Sequence, residues 1–140
     1  VVDRDHADDQ FTVQIKEGAT VVESATTSGS GLEATTGKLT LEHDKKYVLT
    51  EVMAGVDENR LGRYEASMSC INNTAGSNTV LPSGDGKSFE ITPKNGDDIS
   101  CTITNTAVKP SGKGSTIKAE PTTIVADGVE ESVITVQVRD

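Results

Sequence analysis

At 140 residues the chain has room for one ordinary domain or two small modules, and a large two-domain enzyme is excluded. Thirteen Lys and Arg against 22 Asp and Glu give a net charge of −9, a field that repels phosphate backbones and anionic headgroups, so neither nucleic acid nor direct membrane insertion is expected. Only 34% of the residues are apolar, Trp is absent and the aromatics are Phe11, Tyr47, Tyr64 and Phe89, whereas Thr (18) and Val (15) abound. β-Branched residues suit pleated strands, and the expected class is all-β.

Taken in order, Phe11, Val13 and Ile15 share one face of a first strand, closed by the turn Lys16-Glu17-Gly18. Residues 19–25 read as a second strand and 26–31 as a loop. Leu39 and Leu41 are in phase in a further strand, ended by the charged turn Glu42-His43-Asp44-Lys45-Lys46. Tyr47, Leu49 and Glu51 follow in phase, then Tyr64, Ala66, Met68 and Cys70. Residues 72–86 read as a long surface excursion around Pro82, with Gly84-Asp85-Gly86-Lys87 as a turn that lacks the spacing of a phosphate loop. Phe89 and Ile91 mark another strand, and Ile99, Cys101, Ile103 and Asn105 the last of a β-module over residues 1–107. Residues 108–115 have the composition of a linker. In residues 116–140, Thr116 to Ala119 and Ile134, Val136 and Val138 alternate as strands around Ala126-Asp127-Gly128. About twenty-five residues cannot bury a core of their own, so this part is expected to be a truncated second module that docks, stays mobile or exchanges strands in a dimer. With no basic and apolar leader, no apolar run of membrane length and no cap after Val138-Arg139-Asp140, the chain reads as a piece of something longer.

Cys70 and Cys101 each lie in phase with apolar neighbours, so both thiols are expected to point inward. A disulfide would close a loop of about thirty residues and stabilise the fold by roughly 3–4 kcal/mol in the chain-entropy model. The alternative is two buried free thiols in a reducing compartment. No Cys-x-x-Cys pattern points to zinc or redox catalysis.

Thr116-Ile117-Lys118-Ala119-Glu120-Pro121 through Ala126-Asp127-Gly128, followed by Ser132-Val133-Ile134-Thr135-Val136-Gln137-Val138, resembles the start of an invasin/intimin-type bacterial Ig-like repeat. That resemblance implies a surface adhesin held at an outer membrane, with neighbouring Ig-like repeats in the same chain. Gln10-Phe11-Thr12-Val13, Tyr47-Val48-Leu49-Thr50-Glu51 and Cys101-Thr102-Ile103-Thr104-Asn105-Thr106 are similar to prealbumin-like (Cna B-type) domains, which implies an Ig-like or prealbumin-like β-sandwich. Members of that group often carry a self-formed isopeptide bond between a Lys on the first strand and an Asn on the last, promoted by an acidic residue. Asn105 and Glu51 match the acceptor and acidic positions; Lys16 falls out of phase, and the strand that usually bears the Lys would precede Val1. The alternative for both residues is hydrogen bonding to backbone near strand ends.

The acidic residues Asp3, Asp5, Asp8, Asp9, Asp85, Asp97 and Asp98 match no calcium-loop spacing and read as solvated loops. His6 and His43 share no obvious nucleophile. Asn72-Asn73-Thr74 is formally a glycosylation acceptor. No catalytic constellation, metal or cofactor is therefore expected. The reading is a non-catalytic structural or presentation module in the stalk or repeat region of a bacterial cell-surface adhesin. The competing reading is a module that binds a host protein, or a glycan, through loops 26–37, 54–63 and 71–87.

Overall fold

A computed structural model describes residues 1–55, 58–109, 116–120, 122–123 and 132–137. Nine strands occur among them: β1 (Gln10–Glu17), β2 (Thr20–Thr26), β3 (Tyr47–Ala54), β4 (Tyr64–Asn72), β5 (Gly84–Asp85), β6 (Ser88–Ile91), β7 (Ile99–Ala107), β8 (Thr116–Glu120) and β9 (Val133–Gln137). A 3₁₀ helix, Glu58–Arg63, leads into β4. The chain divides into two compact units, Val1–Val108 and Lys109–Asp140.

The first unit is a sandwich of two antiparallel sheets, ordered β2-β1-β3-β6 and β5-β4-β7. Period-2 alternation places the core: in β4, Tyr64, Ala66 and Met68 are buried while Glu65, Ser67 and Ser69 are exposed. Phe11 and Met53 from one sheet meet Tyr64 and Ala107 from the other, with Val1 and Leu61 packed against them. Phe11 and Tyr64 are edge to face, ring centroids 4.8 Å apart, a geometry favoured by the ring quadrupoles. The fold is all-β in class.

Three sequence expectations change. Leu39 and Leu41 do not form a strand: both are half-buried, as their phase requires, but residues 32–41 find no ladder partner, and a strand is defined by its partner as much as by its pattern. Gly84-Asp85 is not a turn but a two-residue strand opposite Ser67 and Met68, extended by a bond from Gly86 N to Ala66 O (2.8 Å). Gly86 has φ +145°, and a Cβ there would stand 3.1 Å from the Phe89 ring, so only glycine lets this edge approach the core. The acidic N-terminal segment is not uniformly solvated, because Asp9 is fully buried.

In the second unit β8 and β9 pair antiparallel, with Ile117 opposite Val136 and Ala119 opposite Ile134 on one face. All ten residues of the pair are exposed. Residues 110–115 of the expected linker, the Ala126-Asp127-Gly128 turn and Val138 lie outside the described residues.

Candidate functional site

Glu51 lies within β3 on the face shared with Tyr47 and Met53; Asn105 lies in β7 two residues before the buried Ala107. Both alternations turn these polar side chains into the sandwich, where they are 3% and 2% exposed. Asn105 Nδ2 donates to the Glu51 carboxylate at 2.5 Å, bridging the two sheets. The two side chains thus bond to each other, while the Glu51 backbone N–H donates to Lys87 O (3.2 Å). The remaining oxygens, Glu51 Oε1 and Asn105 Oδ1, are buried without a hydrogen-bond partner. An unsatisfied buried acceptor costs about 1–3 kcal/mol, more if charged, so the pair is incompletely served. Burial pushes the Glu51 carboxyl up from its ordinary value, against the opposing pull of the Asn105 hydrogen bond and the positive charges of Lys87 and the N-terminal amine. The arrangement can hold a proton on Glu51, polarise the Asn105 amide and accept hydrogen bonds from an incoming cation.

No lysine of the described segments completes the pair. Lys16 lies opposite Val48, while Glu51 lies opposite Val13, so register puts Lys16 and Glu51 on opposite faces. Lys87 Nζ donates instead to Leu61 O.

The pair borders a cavity of about 1130 Å³ between the sheets. Seven consecutive residues of β7, 99–105, line it, as do residues 32–41. Because successive β7 side chains point to opposite faces, a lining that includes all seven means that the cavity opens along the strand's backbone edge. β7 stands at the end of its sheet. Val2 N–H donates to Asn105 O (2.7 Å) and Ala107 N–H to the Asp3 carboxylate (2.9 Å), so the N-terminal segment touches β7 at its Asn105–Ala107 end.

Cys70 and Cys101 are directly opposite in the β4–β7 ladder, Cα atoms 4.1 Å apart, and form a disulfide. It closes a separation of 31 residues and anchors β7, the strand with the open edge, to β4. At the other end of the unit, Tyr64 OH donates to Asp9 Oδ2 (2.6 Å) and accepts from Asp5 N (2.7 Å). Arg60 stands 2.9 Å from Asp9 Oδ1 as an ion pair without hydrogen-bond alignment. Burial, then the bond to Asp9, pushes the Tyr64 phenol up to about 12. The tie of Arg60 and Tyr64 to Asp9 escaped the sequence reading because no local spacing links Asp9 to residues more than fifty positions away.

The loops of the competing reading are partly tied down. Arg4 donates to Gly29 O (2.6 Å) and to Gly31 O, fixing the start of loop 26–37. Asp97 accepts from Asn72 Nδ2 (2.8 Å), Thr79 Oγ1 (2.5 Å) and Lys94 N (2.7 Å), so donors from Ser77, Thr79, Asn72 and the backbone hold its carboxyl well below the usual range. Asn72, the formal glycosylation acceptor, is engaged on both side-chain atoms, its oxygen taking Thr74 N (3.0 Å). His6 contacts Arg63 and Asp5, and His43 contacts Asp44; the three side chains are charged groups rather than nucleophiles. Among the described residues no group of three or more His, Cys, Asp or Glu is placed to hold a metal, and no helix is long and apolar enough to cross a membrane.

Searches among curated proteins and among solved structures returned no match. A family model described as a prealbumin-like fold domain, SpaA_3, matches residues 1–107, the span that contains both sheets, the disulfide and the Glu51–Asn105 pair. The chain belongs to the SpaA_3 family of prealbumin-like fold domains.

Proposed function

We propose that this chain is a non-catalytic structural and presentation module in the stalk or repeat region of a bacterial cell-surface adhesin. The observation that carries it is the family match over residues 1–107, since domains of this type are structural modules of bacterial surface proteins such as pili. A cross-strand disulfide supports a role outside the reducing cytoplasm. The β8–β9 hairpin supports a following Ig-like repeat of the invasin/intimin type, and with it outer-membrane anchoring and neighbouring repeats as partners. The net charge of −9 argues against nucleic acid. Replacing residues 1–108 in the parent surface protein by an unrelated β-sandwich of equal length tests the reading: display and host-cell attachment should both persist. Attachment lost with display intact would transfer the function to loops 26–37, 54–63 and 71–87 as a host-protein site.

Glu51 and Asn105 are, in the same proposal, two of the three residues of an isopeptide centre. A lysine amine forms the new bond to Asn105 Cγ, the Asn105 C–N bond breaks, and ammonia leaves while Glu51 relays the proton. The buried pair at 2.5 Å supports it, and a product lighter by one ammonia than its reactants is the mass signature.

A further inference from the structure

We propose that Asn95-Gly96 is a self-modifying turn: the Gly96 backbone nitrogen displaces ammonia from the Asn95 side-chain amide, and the product frees the excursion over residues 72–79 that the turn holds. The proposal is independent of the Glu51–Asn105 pair.

The chain has six asparagines, and Asn95 alone is followed by glycine. The following residue decides how closely its backbone nitrogen can approach the asparagine side-chain carbon, and glycine, without a Cβ, obstructs that approach least. Asn95 and Gly96 are both exposed. Gly96 has φ +84°, and nothing stands within 4 Å of the place a Cβ would take. Asp97 N–H donates to Lys94 O (3.2 Å) and closes the turn, with Asn95 and Gly96 at its centre. Among the described residues neither the Asn95 side chain nor the Gly96 N–H has a hydrogen-bond partner. Nucleophile and electrophile are therefore neighbours in the chain, unengaged and open to water, and their reaction needs no second molecule to be positioned. The contrast lies within the same unit. Gly86 follows Asp85, but its N–H donates to Ala66 O (2.8 Å), and the side chains of Asn72 and Asn105 are held by hydrogen bonds.

A base removes the Gly96 amide proton, the nitrogen bonds to Asn95 Cγ, and the Cγ–Nδ2 bond breaks with loss of ammonia to leave a cyclic imide. Water then opens the imide at either carbonyl. One opening leaves aspartate; the other routes the backbone through the former side chain as isoaspartate, adding a carbon to the turn. Either way a carboxylate replaces a neutral amide beside Asp97 and Asp98, and the like charges repel.

The excursion is fastened to this turn. Thr74 Oγ1 donates to Gly96 O (2.7 Å), Asn73 N–H to Asp98 O (2.8 Å) and Asp98 N–H to Thr74 Oγ1 (3.0 Å), while Asn72 and Thr79 donate to the Asp97 carboxylate. A longer backbone between Asn95 and Gly96 displaces all of these groups together. Residues 72–79 belong to loop 71–87, so the modification would act on one of the surfaces of the competing binding reading.

The full chain, held at about 37 °C and about pH 8 and digested at intervals, tests this. The peptide that carries residue 95 should become heavier by about 1 Da, roughly tenfold more slowly at about pH 7 because the attack needs a base, while the other asparagines stay unchanged. In the converted protein, amide exchange at Asn73 and Asp98 should be about tenfold faster than in the fresh one. Asn95→Ala, a change at an exposed position, should keep the exchange of the fresh protein throughout the same ageing. Asn95 left intact, other asparagines converting as fast, unchanged exchange after conversion, or equal loosening in aged Asn95→Ala would each overturn the proposal. Loss of ammonia is shared with the isopeptide, and its location separates the two. A loss at residues 95–96 that gives way to the heavier product is the imide, whereas a lasting loss at Asn105 joined to a lysine is the cross-link, and either can fail without the other.

Discussion

A carboxyl group taken out of water favours its neutral form, and this fixes how Glu51 couples stability to pH. Its folded-state affinity for protons is raised above the ordinary value of 4.5, mainly by burial. The contribution is therefore fully present below the unfolded value and is lost as pH rises through the elevated folded one. Glu51→Gln keeps the shape and a hydrogen-bonding partner for Asn105 but carries no titrating proton. Denaturant midpoints measured from about pH 4 to about pH 7 should fall for the parent relative to the variant; parallel curves would show that Glu51 does not titrate in this window. Tyr64 obeys the same sign at the alkaline end. Its phenol is pushed up to about 12 from 10.0, so its contribution is intact below pH 10 and is lost as pH climbs from 10 toward about 12. Tyr64→Phe removes the donor to buried Asp9 and the acceptor for Asp5 N, and should cost about 1–3 kcal/mol at neutral pH. Urea titration measures that cost, and the variant should lack the parent's Tyr64-dependent loss of stability above pH 10; a neutral-pH stability equal to the parent's would mean that water replaces the hydroxyl.

Among elements, the β4–β7 pair depends on a covalent tie. Cys70 and Cys101 occupy one rung of a ladder whose outer strand, β7, stands at the end of its sheet, so the bridge adds a covalent tie to a strand paired on one side only. Replacing both by serine should lower stability by roughly 3–4 kcal/mol and accelerate amide exchange in β7 ahead of β1 and β3. An equal change across both sheets would mean that the tie acts on the whole unit. The strands that could be read from the sequence were those whose alternation is answered by a partner. Tyr64, Ala66 and Met68 predicted the buried face of β4, and the same periodicity turned Glu51 and Asn105 inward before any contact was known. Leu39 and Leu41 show the limit of that signal: their phase is right and both are half-buried, but phase does not create a neighbouring edge. Asp9 shows another. Within Asp8-Asp9 nothing distinguishes the exposed carboxylate from the fully buried one, because Tyr64 and Arg60, which hold Asp9, are more than fifty residues away in the chain.

At the scale of the molecule, apolar burial among the described residues is concentrated in one unit. Among the described residues every buried hydrophobic one, from Phe11 to Ala107, belongs to Val1–Val108, while Ile117, Ile134 and Val136 of the hairpin are between 62% and 73% exposed. A two-stranded hairpin is at best marginally stable alone, because its backbone ordering is not offset by a buried face. Residues 1–108 should therefore fold without the remainder and unfold in one cooperative transition, with a midpoint within about 2 °C of the full chain. Residues 116–137 as a separate peptide should show the circular dichroism of an unfolded chain. If deleting residues 109–140 instead lowers the midpoint by about 4 °C or more, roughly 1 kcal/mol for a domain of this size, the hairpin contributes to the stability of the first unit. An unchanged midpoint has a mechanical corollary for a stalk. Tension along the chain would then load the first unit through its own ends, and Cys70–Cys101 would set how much of it can extend: the residues between the two cysteines stay looped while the disulfide is intact and lengthen the chain only after reduction. Force spectroscopy on tandem copies should accordingly record a longer unfolding extension under reducing conditions than under oxidising ones.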